Sequence, residues 1–402
     1  MAPWEKVYIK LPRSGNLADL DHHFEELSCV DCHGGDKTQN NNKEKAHKGL
    51  IQDPSEFTTV DGKVSNSCAG EECHTSTAEE YHNSLHQQLW GERKYVALRS
   101  GVSSFDQCPQ STRDGFNGEC TSCHATCGDC HISIPNSAGK GLVNDHRFQK
   151  TPNMEKNCTA CHGSRVAFDF YGEEGLEERQ GDVHFKTLYM DCFDCHNQSE
   201  MHTRVTDTDN TDRYTYDLRP SCFDCHPADS IATINLYHTM HMDNMTCYVC
   251  HSQKYNNCSA CHVKGEWKTD PDYQENNPHE DFKIGLNPLP AHRDFSDVKY
   301  AVVRHIPIAP DTYENWGSAS ANLPDYNTIP TWKFASPHSI QRWTPRTDAS
   351  PCYNNCHTKE GFGKPENKEI FLFRAEIQEK WPDEVQANDP VVVDGNLPDG
   401  WE

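Results

Sequence analysis

Ten times along this chain two closely spaced cysteines are followed at once by a histidine. Eight copies carry two residues between the cysteines: CVDCH (Cys29, Cys32, His33), CTSCH (Cys120, Cys123, His124), CGDCH (Cys127, Cys130, His131), CTACH (Cys158, Cys161, His162), CFDCH (Cys192, Cys195, His196), CFDCH again (Cys222, Cys225, His226), CYVCH (Cys247, Cys250, His251) and CSACH (Cys258, Cys261, His262). Two are stretched, CAGEECH (Cys68, Cys73, His74) and CYNNCH (Cys352, Cys356, His357). Two thiols that add to the vinyl groups of one haem, with an imidazole reaching the iron from the same side, need these residue types in this order. Zinc knuckles and disulfide frameworks also use paired cysteines, but neither requires histidine directly after the second one. With 24 histidines in 402 residues, ten such coincidences have a chance of roughly 10⁻¹². The motifs take twenty of the 21 cysteines and leave Cys108, which reads as a structural thiol or as one half of an intermolecular disulfide.

Ten covalent haems c constrain the fold before any other consideration. Only 35% of the residues are hydrophobic, too few for a core of ordinary size in a chain this long. The porphyrin faces then supply the missing apolar surface. The expected fold class is mostly irregular coil with few short helices and minor short strands, packed on haem and unable to stand without it. Motif spacing, from 7 to 94 residues between starts, is too irregular for a solenoid. The expected organisation is residues 1–262 wrapping nine haem motifs, a proline-rich strap over 263–351, and the last motif with a C-terminal helix and tail over 352–402, all one continuous haem-stacked unit. Ser76 with Glu79 suggests a capping box for a helix running through Leu89, which would carry His82 and His86 one turn apart. A second helix is expected from Pro365 to Lys380, stopped where Trp381 precedes Pro382. The strap holds eleven of the 23 prolines, so only edge strands such as AVVRHIPI are expected there.

The formal charge of −24 becomes about −34 once ten oxidised haems and their propionates are added. Nucleic acid is thereby excluded as a partner. Assembly of such surfaces calls for Lys, Arg or bound divalent cations against the propionates. Covalent haem attachment takes place outside the cytoplasm, so the expected location is extracellular or cell-surface, with the periplasm as second choice. The start MAPWEKVYIKLP has no apolar h-region, which reads as numbering after a removed signal; no run of eighteen apolar residues suggests a transmembrane segment.

Fourteen histidines lie outside the motifs, enough to give ten irons a second axial imidazole each. Sequence context favours His23, His47, His82, His86, His146, His184, His202, His241, His305 and His338 as these distal ligands. His22 and His238 stand in reserve, and His279 and His292 read as surface residues. With imidazole available throughout, methionine ligation is not needed, and bis-histidine irons imply low potentials. The pairs CTSCHATCGDCH and CYVCHSQKYNNCSACH tether two haems within a few residues, which favours fast electron exchange.

Together with NCTACHGSRV, GDVHF and EMH, these motifs resemble the extracellular multihaem c-type cytochromes of metal-reducing bacteria and archaea, including those that polymerise into cytochrome nanowires. The resemblance covers roughly residues 20–360, although the stretched motifs and the Val263–Pro351 strap lie outside it. It implies a conductive homopolymer in which one subunit donates an axial histidine to the next, here His22 or His23, and in which electrons pass to redox partner proteins and external acceptors without catalysis. The short apolar runs at 6–11 and 390–394 suit strand exchange between subunits, or packing within one. A discrete periplasmic or surface electron carrier is the alternative. A multihaem reductase is a third reading, but it would need an open iron, and no motif histidine is replaced by lysine.

Overall fold

The computed structural model describes residues 29–39, 41–60, 63–70, 73–121, 125–135, 138–143, 146–173, 175–176, 179–256, 279–280, 282–288, 298–347, 356–357 and 369–398. Over these residues the chain is mostly coil, with sixteen short α-helices, none longer than ten residues, and three small antiparallel sheets. Strands β1 (Thr58–Val60) and β2 (Lys63–Ser65) form one hairpin, and β3 (Tyr255–Asn256) pairs with β4 (His279–Glu280). Strands β5 (Ile284–Leu286), β6 (Tyr300–His305) and β7 (Trp332–Phe334) form the third sheet in that order. No helix among the described residues is long and apolar enough to cross a membrane.

Contacts divide the chain into two compact units. The first comprises residues 1–89, 119–162 and 197–206, the second 90–118, 163–196 and 207–402. The proline-rich segment lies wholly in the second, and there it does more than strap. Strand β6 is the central strand of its sheet and is buried along its whole length. Expectation and structure differ because YAVVRH itself contains no proline; Pro307 and Pro310 follow it, so its ladder hydrogen bonds are intact. Its side chains alternate as a strand demands: Tyr300 and Val302 pack with Val249, Tyr255, Ile284 and Phe371, while Val303 packs with Trp332, Leu372, Ile377 and Val391.

The C-terminal segment completes this core. Val391, Val392 and Val393 are all buried, with Val391 O accepting from Leu286 N at 2.8 Å and Val393 N donating to Leu372 O at 3.0 Å. A Cβ on Gly285 would stand 2.7 Å from that same Val391 oxygen, so the close approach requires glycine. The apolar run at 390–394 is thus spent within its own chain; the run at 6–11 lies outside the described residues. The last helix spans Arg374–Lys380, not 365–380, since Leu372 donates to Ile284 O and Phe371 bridges to Ile284 in extended conformation. It does stop before Pro382, as its C-cap Trp381 has left helical conformation.

The helix expected over 76–89 is two helices, Thr75–Tyr81 and Leu85–Gln88. Ser76 caps neither. The first has His74 at its N-cap with no side-chain capping bond, and Ser84 caps the second by accepting from Gln87 N. His82 and His86 therefore sit on different elements. Cys108 is buried, and burial raises its thiol pKa, which suits a structural role.

Candidate haem sites

Five of the regular motifs begin one helical turn at their first cysteine: Cys29–His33, Cys127–His131, Cys192–Cys195, Cys222–Asp224 and Cys247–His251. Helical spacing is what makes the motif work. Residues i, i+3 and i+4 share one face, so both sulfurs and the imidazole project to the same side. Three of these turns are closed by capping boxes, Thr126 with Asp129, Asp191 with Asp194 and Ser221 with Asp224. The residue before the first cysteine and the residue before the second thus hold each turn in shape. This signal is readable in the sequence as [STD]-C-x-D-C-H, and it assigns a role to residues that the haem chemistry leaves unspecified.

Opposite the motif histidines the fold brings spare ones. In the first unit His33 faces His146 with ring centres 6.2 Å apart, His162 faces His86 at 6.3 Å, and His131 faces His202 at 6.1 Å. In the second unit His226 faces His184 at 6.1 Å, His196 faces His338 at 6.3 Å, His251 faces His238 at 6.1 Å, and His357 faces His241 at 6.3 Å. Each pair joins one motif histidine to one spare. Their separation stays within 6.1–6.3 Å while the angle between rings runs from 17° to 76°. Contact between rings would not behave so, because stacked rings approach more closely than edge-on ones. His305 stacked on Trp332 at 16° has its centre 4.9 Å away, whereas His196 and His338 at 17° stand 6.3 Å apart. A metal between two imidazole nitrogens, each about 2 Å from it, sets ring centres about 6 Å apart whatever the twist between the planes.

The outer nitrogens fit the same reading. Nδ1 of His33 meets Ile51 O at 2.9 Å, of His131 Gln149 O at 2.6 Å, of His251 Gln341 O at 3.0 Å and of His241 Tyr237 O at 2.8 Å. A carbonyl only accepts, so each ring carries its proton on Nδ1 and leaves the Nε2 lone pair for a metal. Burial, followed by the neighbouring ring, pushes the pKa of His202, His357 and His338 downward, the last to about 4 although part of its surface remains accessible. That favours the neutral, ligating form. His184 departs from this pattern: its Nδ1 donates to Asp182 Oδ1 at 2.9 Å, which raises its pKa.

Sites adjoin within each unit. In the first, Cys32 senses the charge of Cys73, the Cys68 thiol hydrogen-bonds that of Cys127, and His202 senses His86. This sets the sites of His33, His74, His131 and His162 in a row. In the second, Cys195 senses Cys225, Cys222 hydrogen-bonds Cys247, and His238 and His241 stand on one helix, Leu236–His241. The sites of His196, His226, His251 and His357 form a second row. No group of three His, Cys, Asp or Glu suited to a bare metal ion occurs among the described residues. Paired imidazoles beside paired thiols are a donor set for haem, whose own ring supplies the remaining ligands.

Comparison with protein-family models, with curated proteins and with solved structures finds no match for the chain.

Six of the ten expected distal histidines, His86, His146, His184, His202, His241 and His338, face a motif histidine. His305 is placed elsewhere. It is buried beside Trp332 and Trp381, and its Nε2 bonds Glu384 Oε2 at 2.7 Å, so the nitrogen that would face iron is taken by the protein core. His238, held in reserve by sequence context, occupies a paired position instead. His47 is an exposed helix C-cap, and His82 packs on Phe57 with ring centres 4.9 Å apart. His23, Cys123, His124, Cys258, Cys261, His262 and Cys352 lie outside the described residues.

Proposed function

We propose that this chain is an electron-transfer protein that carries ten covalent haems c, each iron held between a motif histidine and a spare one. The observation that carries this reading is the set of seven motif–spare pairs at 6.1–6.3 Å. When bound, each group supplies a one-electron iron couple whose potential the axial ligands and their surroundings set. The protein supplies the rest. Cysteines at helical spacing anchor each ring by two thioethers, capping boxes fix the turn, and backbone carbonyls hold the imidazole tautomer. At the seven paired sites two imidazoles would leave the iron no position for substrate, which favours conduction over catalysis. Adjoining thiols and shared helices draw neighbouring sites together, which favours exchange between them.

We place the protein outside the cytoplasm, as a subunit of an extracellular conductive filament, on the strength of the motif chemistry and the resemblance to filament-forming cytochromes. The discrete carrier is the second reading, favoured by the burial of Val391, Val392 and Val393 within their own chain. Pyridine haemochrome quantitation together with low-temperature EPR tests the haem assignment: ten equivalents, all low-spin, are expected, and far fewer equivalents or a stoichiometric CO adduct would refute it. Negative-stain imaging of the purified protein separates the polymer from a discrete monomer.

A further inference from the structure

Nδ1 of His33, His131, His241 and His251 each meets a backbone oxygen, whereas Nδ1 of His184 meets an acid. His33, His131, His241 and His251 all donate to neutral backbone carbonyls. His184 donates to Asp182, a side chain only 3% exposed. The carboxylate is held from several directions. Oδ1 also accepts from the His184 backbone N–H at 2.8 Å as the helix N-cap, and Oδ2 accepts from Ile340 N at 2.8 Å. It cannot turn away from the imidazole without losing these bonds.

Resting on the haem reading above, we propose that Asp182 is a tuning residue that lowers the reduction potential of the His184–His226 site. An anion hydrogen-bonded to Nδ1–H raises the electron density of the ring, strengthens its donation through Nε2 and stabilises the more positive, oxidised metal. Burial makes the effect larger, because little water screens the charge. The four carbonyl-bonded rings lack that anion. Asp182 therefore gives the second row a step in potential at a site whose thiols lie beside those of both its neighbours, Cys195 on one side and Cys247 on the other.

The test is a spectropotentiometric titration of the fully loaded protein and of Asp182→Asn. Asparagine keeps an acceptor for the N-cap and removes the charge. About one tenth of the total absorbance change is expected to move to higher potential while the remainder stays in place. Asp182→Glu, which keeps the charge, is expected to leave that fraction near its wild-type position. An unchanged titration in Asp182→Asn overturns the proposal. So does the appearance of one high-spin iron in that variant, because Asp182 would then be holding His184 in place and not tuning it. A wild-type protein that lacks haem would instead overturn the underlying assignment, an outcome visible from haemochrome quantitation alone.

Discussion

The first unit and the sheet region of the second bury their own side chains to very different extents. Among the described residues of the first unit only Ala78, Tyr81, Ala125 and Val205 are buried hydrophobics, while three histidine pairs are spread through it. Around β5, β6 and β7 the reverse holds: Trp332, Tyr255, Phe334, Ile284, Leu372, Ile377 and the valines of β6 and 391–393 are all buried, and the histidine of β6, His305, is bonded to protein. One region buries few of its own apolar side chains, as the proposed haems would require; the other fills its interior with side chains. The difference teaches that a chain crowded with cysteine–histidine motifs can still contain an ordinary packed core, placed where the motifs are sparse.

The sharpest way to break this comparison is to withhold haem. In protein made without haem attachment, amide hydrogens of β6 are expected to stay protected while those of residues 73–89 and 125–135 exchange as in an unfolded chain; equal protection in both would end the distinction. Next in size is Trp332→Ala, which empties the most voluminous fully buried side chain among the described residues and is expected to cost about 3–5 kcal/mol in chemical denaturation. His305→Ala should cost about 1–3 kcal/mol by stranding Glu384, with every iron still low-spin by EPR. His238→Ala should do the converse, turning one iron high-spin with little effect on the sheet.

Smaller effects sharpen the contrast. Tyr81→Phe removes the hydroxyl that donates to Ala125 O at 2.5 Å, and about 1 kcal/mol of stability should be lost, confined to the first unit. In the second unit burial pushes the Asp169 carboxyl up to about 6 despite Arg304 and Arg179. A free aspartate titrates near 3.9, so between about 4 and 6 the folded state holds more protons than the unfolded one. The contribution of Asp169 to stability is therefore present below that window and lost as pH rises through it. Denaturation curves of wild type and Asp169→Asn should diverge across this range and run parallel outside it.

Much of the site is legible in the chain. Cysteine spacing and the adjoining histidine are local, and a single capped turn places them on one face, so neighbours in sequence are neighbours in space. The surplus of histidines likewise announces a second imidazole for each motif histidine. Which spare histidine meets which motif histidine is not legible. His33 pairs with His146 and His196 with His338, across long stretches of chain, and these meetings depend on how loops close. His238 and His241 show the limit clearly: three residues apart on one helix, they serve different motif histidines, His251 and His357. His305 misled for the complementary reason, since a spare imidazole in a haem-rich sequence carries no mark saying that its partner is Glu384.

The amino-acid sequence by itself determined the cysteine–histidine motifs, the surplus of imidazole beyond them and the poverty of apolar side chains, because each is a property of residue type and short-range spacing. Only the tertiary structure decided the pairing of imidazoles, the rows of adjoining sites and the central place of β6 in a packed sheet. Those features require groups far apart in the chain to meet, and that is settled by packing over the whole fold.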